Sequence, residues 1–198
     1  MKIVLASHNK NKIKELKELL EDTNIKDIDL LTLDDIGYDK EIIEDGSSFE
    51  ENAMIKASAI ASDKIIAVAD DSGLCVEALN GAPGIYSARY SGEDANDEKN
   101  IALLLKNLNG VDNRNAYFIS NVACIMPNGE NFVCEGRFYG KILNAPKGEN
   151  GFGYDPIFFI PELGKTAAEL SPNEKNAISH RGKAMRAFAI ELKKRLNG

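Results

Sequence analysis

The sequence predicts an α/β protein with a mixed sheet flanked by helices. In the first half, short apolar runs such as Met1–Ala6 and Ile65–Ala69 alternate with segments whose apolar residues recur every three or four positions. That alternation is typical of strands and covering helices in a parallel sheet. In the second half, the strand-like runs Ala116–Met126 and Asn131–Ile142 are joined at Pro127-Asn128-Gly129, which indicates an antiparallel hairpin.

The helices are predicted from apolar periodicity and from their start signals. The clearest start is Ser48-Phe49-Glu50-Glu51, which has the spacing of a capping box. A last strand is predicted over Tyr154–Ile160. The predicted helices run from Asn9 to Leu20, from Ser48 to about Ser62, from Asp94 to Leu108, and from about Ser179 to Leu196.

Length and composition predict one globular domain of 198 residues, with 43% hydrophobic and 28% charged residues. The longest apolar runs are far shorter than a membrane span, and Met1–Ala6 leads directly into structure. We therefore expect no signal peptide, no membrane segment and a cytoplasmic location. The net charge of −7 argues against nonspecific binding to nucleic acid, although it leaves a single nucleotide possible as a ligand.

The cysteines and histidines limit the metal chemistry. Cys75, Cys124 and Cys134 show no close pairing and no metal-site spacing, which favours buried thiols in a reducing compartment. His8 and His180 are the only histidines, so a multi-histidine site is excluded. Any metal is expected to be a hard cation such as magnesium, held by oxygen atoms.

Two adjacent carboxylates, Asp70 and Asp71, follow the predicted strand Ile65–Ala69. Because side chains alternate along a strand, the two carboxylates are expected to point in opposite directions. One of them would face the space beyond the strand's end, where α/β proteins bind ligands. A carboxylate there can hold a metal ion or accept a proton from water. The alternative is an ordinary turn, since Asp, Ser and Gly are common turn residues.

Two further segments precede this pair along the chain. Residues 7–12 lie between a predicted strand and a predicted helix, where free backbone N–H groups attract phosphate. The alternative is simple helix capping beside solvated lysines. Asn52 and Lys56 are four residues apart on one helix face, with Glu44 in the preceding loop. The alternative for these three is a solvated polar surface.

Two more segments follow later in the chain. In Gly151-Phe152-Gly153-Tyr154-Asp155-Pro156 the glycines permit close approach of a ligand and Phe152 offers a stacking plane, unless the segment is only a turn. Ser179 is predicted to cap the last helix and to place His180 and Arg181 in its first turn. The helix dipole disfavours cations there, so an anionic or carbonyl-rich ligand is indicated. The alternative is a solvated helix start.

Taken in order, these segments resemble the inosine/xanthosine triphosphate pyrophosphatase family, and the resemblance runs nearly end to end. The resemblance implies a two-lobed α/β fold around a long mixed sheet, with the active site in the cleft between the lobes, in a homodimer. The matching motifs are Ser7-x-Asn9-x-x-Lys12, Glu51-Asn52-Ala53 with Lys56, Ala69-Asp70-Asp71-Ser72-Gly73-Leu74, Gly81-Ala82-Pro83-Gly84-Ile85-Tyr86-Ser87-Ala88-Arg89-Tyr90, Gly151-Phe152-Gly153-Tyr154-Asp155-Pro156 and Ile178-Ser179-His180-Arg181-Gly182.

The resemblance also implies an activity: Mg²⁺-dependent hydrolysis of non-canonical purine nucleoside triphosphates (ITP, dITP and XTP) to the monophosphate and pyrophosphate. It makes Asp71 the proton acceptor and a metal ligand, with Glu44 as the second metal ligand. His8 departs from the family, where a smaller residue is expected. The implied substrate-binding residues are Ser7, His8, Asn9, Lys10, Asn11, Lys12, Lys56 and Ser72 for the triphosphate, and Phe152, Gly153, Tyr154, Asp155, Lys175, His180 and Arg181 for the base and phosphate pocket.

Elementary chemistry agrees with these roles and leaves alternatives. Donors such as Lys175 or protonated His180 would favour the keto oxygen at the purine six-position over an amino group. A pyrophosphatase of different base preference remains the nearest alternative. A nucleotide sensor without catalysis is disfavoured by the presence of Asp71, Glu44 and Lys12, and a nucleic-acid-binding module is disfavoured by the acidic charge.

Overall fold

The structure is a computed structural model that describes residues 1–8, 10–22, 25 and 28–197, without the side chains of residues 10, 11, 15, 19 and 22. Its strands are β1 Lys2–Leu5, β2 Asp29–Leu31, β3 Ile66–Val76, β4 Asn115–Ile125, β5 Asn131–Ile142, β6 Phe158–Ile160 and β7 Lys165–Thr166. Its helices are α1 Lys10–Asp22, α2 Phe49–Ile60, α3 Asp97–Asn107, α4 Pro172–Ile178 and α5 His180–Leu196.

The seven strands form one sheet in the order β2-β1-β3-β4-β5-β6-β7. Strand β1 pairs in parallel with β2 and β3, whereas β6 pairs antiparallel with β5 and β7. The predicted mixed sheet with flanking helices is therefore confirmed. None of the helices in the described part of the chain has the length and apolar character needed to cross a bilayer.

The chain forms two compact units. The first contains Met1–Asp71, Ser120–Gly136 and Lys183–Gly198, and the second contains Ser72–Ile119 and Arg137–Gly182. The single domain over residues 1–198 and the cleft between two lobes stay predictions.

Strand β3 separates two cores in the first unit. On one side, Ile66 and Val68 pack with α1 and α5; on the other, Ala67 and Ala69 pack with α2. Both sides are inaccessible to solvent at these positions. Because α2 contributes small side chains there, it can lie close to the sheet. The alternation of β3 thus directs successive side chains towards different helices.

The second unit has its own apolar core. Leu74 and Val76 of β3 pack there with Phe118 of β4 and Phe158 of β6, and Leu104 of α3 joins them. Phe118 and Phe158 form a tilted aromatic pair with ring centroids 4.6 Å apart. This core positions the end of β3 and the segment that leads into β6.

The prediction that β3 ends at Ala69 is wrong, because the strand continues to Val76. Asp70 and Asp71 therefore lie within a strand, not at a turn. The continuation has a physical reason: Leu74 and Val76 are buried in the second core, so the strand pattern resumes after the polar residues. The two carboxylates are accommodated because a lysine contacts each of them.

The predicted strand Tyr154–Ile160 is wrong in its first half. Asp155–Ile157 is a 3₁₀ turn, and only Phe158–Ile160 is extended. The turn forms because the N–H of Ile157 donates to the carbonyl of Tyr154, and the side chain of Asp155 accepts from the N–H of Phe152. The sequence analysis also missed β2, β7 and α4, which are too short to show a periodic pattern.

Candidate active site

Asp71, Lys56 and Glu44 form a compact charged cluster in the first unit. The Nζ atom of Lys56 lies 2.8 Å from Glu44 Oε2 and 3.3 Å from Asp71 Oδ1. The side chains of Lys56 and Asp71 are only 13% and 16% exposed. The structure thus brings together the two carboxylates and the lysine that the sequence analysis selected.

Burial and charge act in opposite directions within this cluster. Burial raises the pKa of Asp71 above its ordinary 3.8, and the neighbouring Glu44 carboxylate raises it further, although Lys56 opposes the shift. Burial alone would lower the pKa of Lys56, but Asp71 and Glu44 outweigh it and the pKa is raised from 10.5. Lys56 is therefore charged at neutral pH, and Asp71 is more basic than an exposed aspartate.

Asn52 lies beside this cluster on α2 and is only 2% exposed. Its Oδ1 atom accepts a hydrogen bond of 2.9 Å from the N–H of Gly46, and its side-chain amide also interacts with the Asp71 carboxyl, which lowers the pKa of that group. Ser48 caps α2 through its hydroxyl, as predicted, but Glu51 turns to the N–H and hydroxyl of Ser47 instead of closing a capping box.

Asp70 points to the opposite face of β3, as predicted from strand alternation. Lys12 of α1 donates to both oxygens of its carboxylate, each at 2.8 Å. Asp70 is 3% exposed and the Lys12 side chain 19%. The structure therefore explains the cation in the first turn of α1: a buried carboxylate of the adjacent strand offsets the unfavourable helix dipole.

The remaining residues of the segment 7–12 are described in part. The N–H of Ser7 donates to the carbonyl of Leu5, and Nδ1 of the exposed His8 lies 2.8 Å from Asp34 Oδ1. Asn9 and the side chains of Lys10 and Asn11 lie outside the described residues. The phosphate-binding role of this segment stays a prediction.

The second unit contains an aromatic and cationic cluster built around Asp155. This carboxylate is 2% exposed, and its Oδ2 accepts from the N–H of Phe152 at 2.9 Å and from Lys175 at 2.5 Å. Lys175 and Arg181 lie over the ring of Phe152, with their charged groups 4.6 and 5.9 Å from its centroid. Phe152 is 63% exposed, so an aromatic ligand could stack on its ring.

His180 and Arg181 begin α5. Ser179 caps this helix by accepting from the N–H of Gly182, as predicted. The ring of His180 stacks on Phe118, with centroids 4.9 Å apart and planes inclined by 14°. The cap fixes the start of the helix, and the stacking fixes the orientation of the imidazole.

The other residues of this loop have structural contacts. Tyr154 is buried and donates its hydroxyl proton to the carbonyl of Ser87, and burial raises its pKa. Gly153 has a positive φ of 61° and donates its N–H to Asp97 at 2.7 Å. Asp97 escaped the sequence analysis, since a surface aspartate at a helix start carries no distinctive signal. Ser72 is half-buried within β3, directly after Asp71.

The sequence pattern of the Ham1 family matches residues 3–191. The chain belongs to this family.

Relatives within the Ham1 family cover almost all of the chain. A dITP/XTP pyrophosphatase of Clostridium perfringens is 49% identical over 97% of both sequences, and one of Leuconostoc mesenteroides is 47% identical over the full length of both. Among solved structures, a HAM1 protein from Coxiella burnetii has a TM-score of 0.91, with 43% identity over 98% of this chain and 99% of its own. The Staphylococcus aureus Ham1 protein has a TM-score of 0.90, with 41% identity over 98% of this chain and its full length.

The ion pair of Asp155 and Lys175 in the second unit leads to a stability prediction. We expect Asp155→Asn to lower the free energy of unfolding by about 2 kcal/mol, because Lys175 loses the carboxylate to which it donates. Urea denaturation followed by circular dichroism measures the change. Asp97→Asn is the matched control, since Asp97 accepts from the same loop but is exposed. Equal losses in both variants would contradict the importance assigned to burial.

Proposed function

We propose that this chain hydrolyses the non-canonical purine nucleoside triphosphates ITP, dITP and XTP to the monophosphate and pyrophosphate, with Mg²⁺ as cofactor. The observation that carries the proposal is the convergence of Asp71 and Glu44 on the ammonium group of Lys56. The relatives that carry the name dITP/XTP pyrophosphatase supply the substrate class. Such an enzyme removes nucleotides that would otherwise be incorporated into DNA and RNA.

The carboxylate oxygens of Asp71 and Glu44, in the cluster with Lys56, are donors that fit Mg²⁺. No group of three or more Asp, Glu, His or Cys residues suited to a metal occurs among the residues that the structure describes. Mg²⁺ does not need such a group, because it takes one or two carboxylates and completes its shell with water and substrate phosphates. Glu44 and Asp71 would hold it, since both already approach one cationic group within 3.3 Å. When bound, Mg²⁺ would polarise the phosphoryl oxygens.

Asp71 is the proposed general base for the attacking water. Water attacks phosphorus, the bond between the α- and β-phosphates breaks, and pyrophosphate leaves with the electron pair. Asp71 accepts the proton of the water, which its raised pKa favours. Lys56 and Lys12 would stabilise the negative charge that grows on the phosphates.

The aromatic and cationic cluster around Asp155 is proposed to recognise the base. Phe152 offers an exposed ring for stacking, while Lys175, His180 and Arg181 offer hydrogen-bond donors. Donors select the keto oxygen of hypoxanthine and xanthine, because an amino group would leave them without an acceptor. Asp155 is buried, so its proposed contribution is to hold Lys175 and the N–H of Phe152 in place.

A panel of triphosphates tests the function directly. Pyrophosphate release is measured from ITP, dITP, XTP, dGTP, dATP and dTTP, each with Mg²⁺ and with a chelator. We expect release from the first three with Mg²⁺ and none with the chelator. Comparable turnover of dITP and dTTP would refute the base preference. Binding of dITP without release would instead support a sensor.

We further propose that the protein is a cytoplasmic homodimer that does not bind nucleic acid. The net charge of −7 supports the last point. Exposed aromatic side chains such as Tyr86, at 55%, and Tyr139, at 61%, are suited to a contact with a second copy. Sedimentation velocity distinguishes dimer from monomer.

A further inference from the structure

The loop that carries Glu44 has few internal constraints. Residues 39–46 contain neither helix nor strand, and the side chain of Glu44 is 34% exposed. A metal ligand on such a loop needs anchors, because its position would otherwise vary by more than coordination tolerates.

The anchors come from the first turn of α2. The N–H of Gly46 donates to Asn52, while the N–H and hydroxyl of Ser47 donate to Glu51 at 2.6 and 2.7 Å. A side chain at position 46 would disturb this arrangement: a Cβ atom there would lie 2.7 Å from Asn52 Oδ1 and 2.8 Å from Glu51 Cβ. Glycine thus lets the loop approach the helix closely.

Asn52 differs from the other anchor because its side-chain amide also interacts favourably with the Asp71 carboxylate. Its Oδ1 accepts from Gly46, which leaves its Nδ2 as the group that can interact favourably with the Asp71 carboxylate. The residue needs both an acceptor and a donor in one short, buried side chain. Leucine at this position would supply neither.

We propose that Asn52 is a positioning residue that fixes Glu44 and Asp71 relative to each other so that both can bind one divalent cation. It acts through the backbone of Gly46, two residues beyond Glu44, and through the carboxylate of Asp71. The inference rests on the proposed metal-dependent function, and it assigns to Asn52 no contact with substrate.

Binding of Mn²⁺ in the absence of nucleotide tests the proposal. Mn²⁺ replaces Mg²⁺ as a probe because free and bound ions are distinguished by electron paramagnetic resonance. Asn52→Leu removes the hydrogen bond with Gly46 and the interaction with Asp71, whereas Gly46→Ala disturbs the loop contact and leaves Asn52 intact. We expect each variant to weaken Mn²⁺ binding by about tenfold or more, the usual effect of losing a partner of a metal ligand. Gly46→Ala keeps the test valid if Asn52→Leu fails to fold.

Asn100 provides the matched control. It is also a buried helical asparagine, 3% exposed, and it holds the loop at Ser91 in the second unit. Asn100→Ala should lower stability and retain wild-type Mn²⁺ affinity. The proposal is overturned if a folded Asn52→Leu or Gly46→Ala variant binds Mn²⁺ like the wild type, if Asn100→Ala weakens binding equally, or if the wild type binds no Mn²⁺.

Hydrolysis of dITP by the wild type is measured in parallel. Failure of the wild type to release pyrophosphate, with Mn²⁺ binding intact and sensitive to Asn52, would refute the proposed function and keep the positioning role. Normal hydrolysis of dITP, together with a Mn²⁺ affinity that Asn52→Leu leaves unchanged, would refute the positioning role and keep the proposed function.

Discussion

Replacing Asp71 by Asn is expected to lower kcat for dITP by about 10²–10⁴-fold, the range attributed to a positioned general base. The change preserves shape but removes the carboxylate that would accept the proton of the attacking water. It also removes one of the two proposed metal ligands, so the loss should lie at the upper end of that range. Steady-state pyrophosphate release measures kcat and KM, and equilibrium dialysis with a non-hydrolysable dITP analogue measures binding. Binding should remain largely intact, because Lys56 and the proposed base-binding residues around Asp155 are unchanged.

Asp70→Asn is the matched control for this substitution. The two aspartates are adjacent in β3 but point to opposite faces, where different lysines contact them. Removing the charge of Asp70 leaves Asp71, Glu44 and Lys56 in place, so kcat should fall far less than in Asp71→Asn. Near-normal kcat in Asp71→Asn, or equal losses in the two variants, would remove Asp71 from the role of base.

The sequence predicted the opposite orientation of these aspartates correctly, because alternation is a property of any strand. It did not predict that β3 continues beyond them. A run of Asp, Ser and Gly is locally indistinguishable from a turn, and the burial that extends the strand comes from Leu74 and Val76 in a separate core. Tertiary packing, and not the local sequence pattern, thus determines that this segment is a strand and not a turn.

In the candidate site, too, some features follow from local sequence patterns and others depend on tertiary packing. Residues four apart on a helix, such as Asn52 and Lys56, could be assigned to one face from spacing alone. The pairings of Lys12 with Asp70 and of Lys175 with Asp155 join residues 58 and 20 positions apart. No local pattern contains such contacts, and they become visible only when the strands and helices are assembled.

The second large effect is expected from replacing Lys12, which pairs with the buried carboxylate of Asp70. We expect Lys12→Ala to raise KM and to lower kcat for dITP, together by about 10²-fold or more in kcat/KM, since phosphate charge grows towards the transition state. The same change should lower the free energy of unfolding by about 3 kcal/mol, because Asp70 keeps its buried charge but loses the lysine. Kinetics with dITP and urea denaturation measure the two losses separately.

The double variant Lys12→Ala/Asp70→Asn separates the two roles of Lys12. Neutralising Asp70 removes the buried charge that Lys12 had balanced, so part of the lost stability should return. Activity should not return, because the variant supplies no cation that could take over the proposed phosphate contact of Lys12. If the double variant regained activity together with stability, Lys12 would act only by neutralising Asp70. If it regained neither, the 2.8 Å contacts between Lys12 and Asp70 would not be the source of the stability loss.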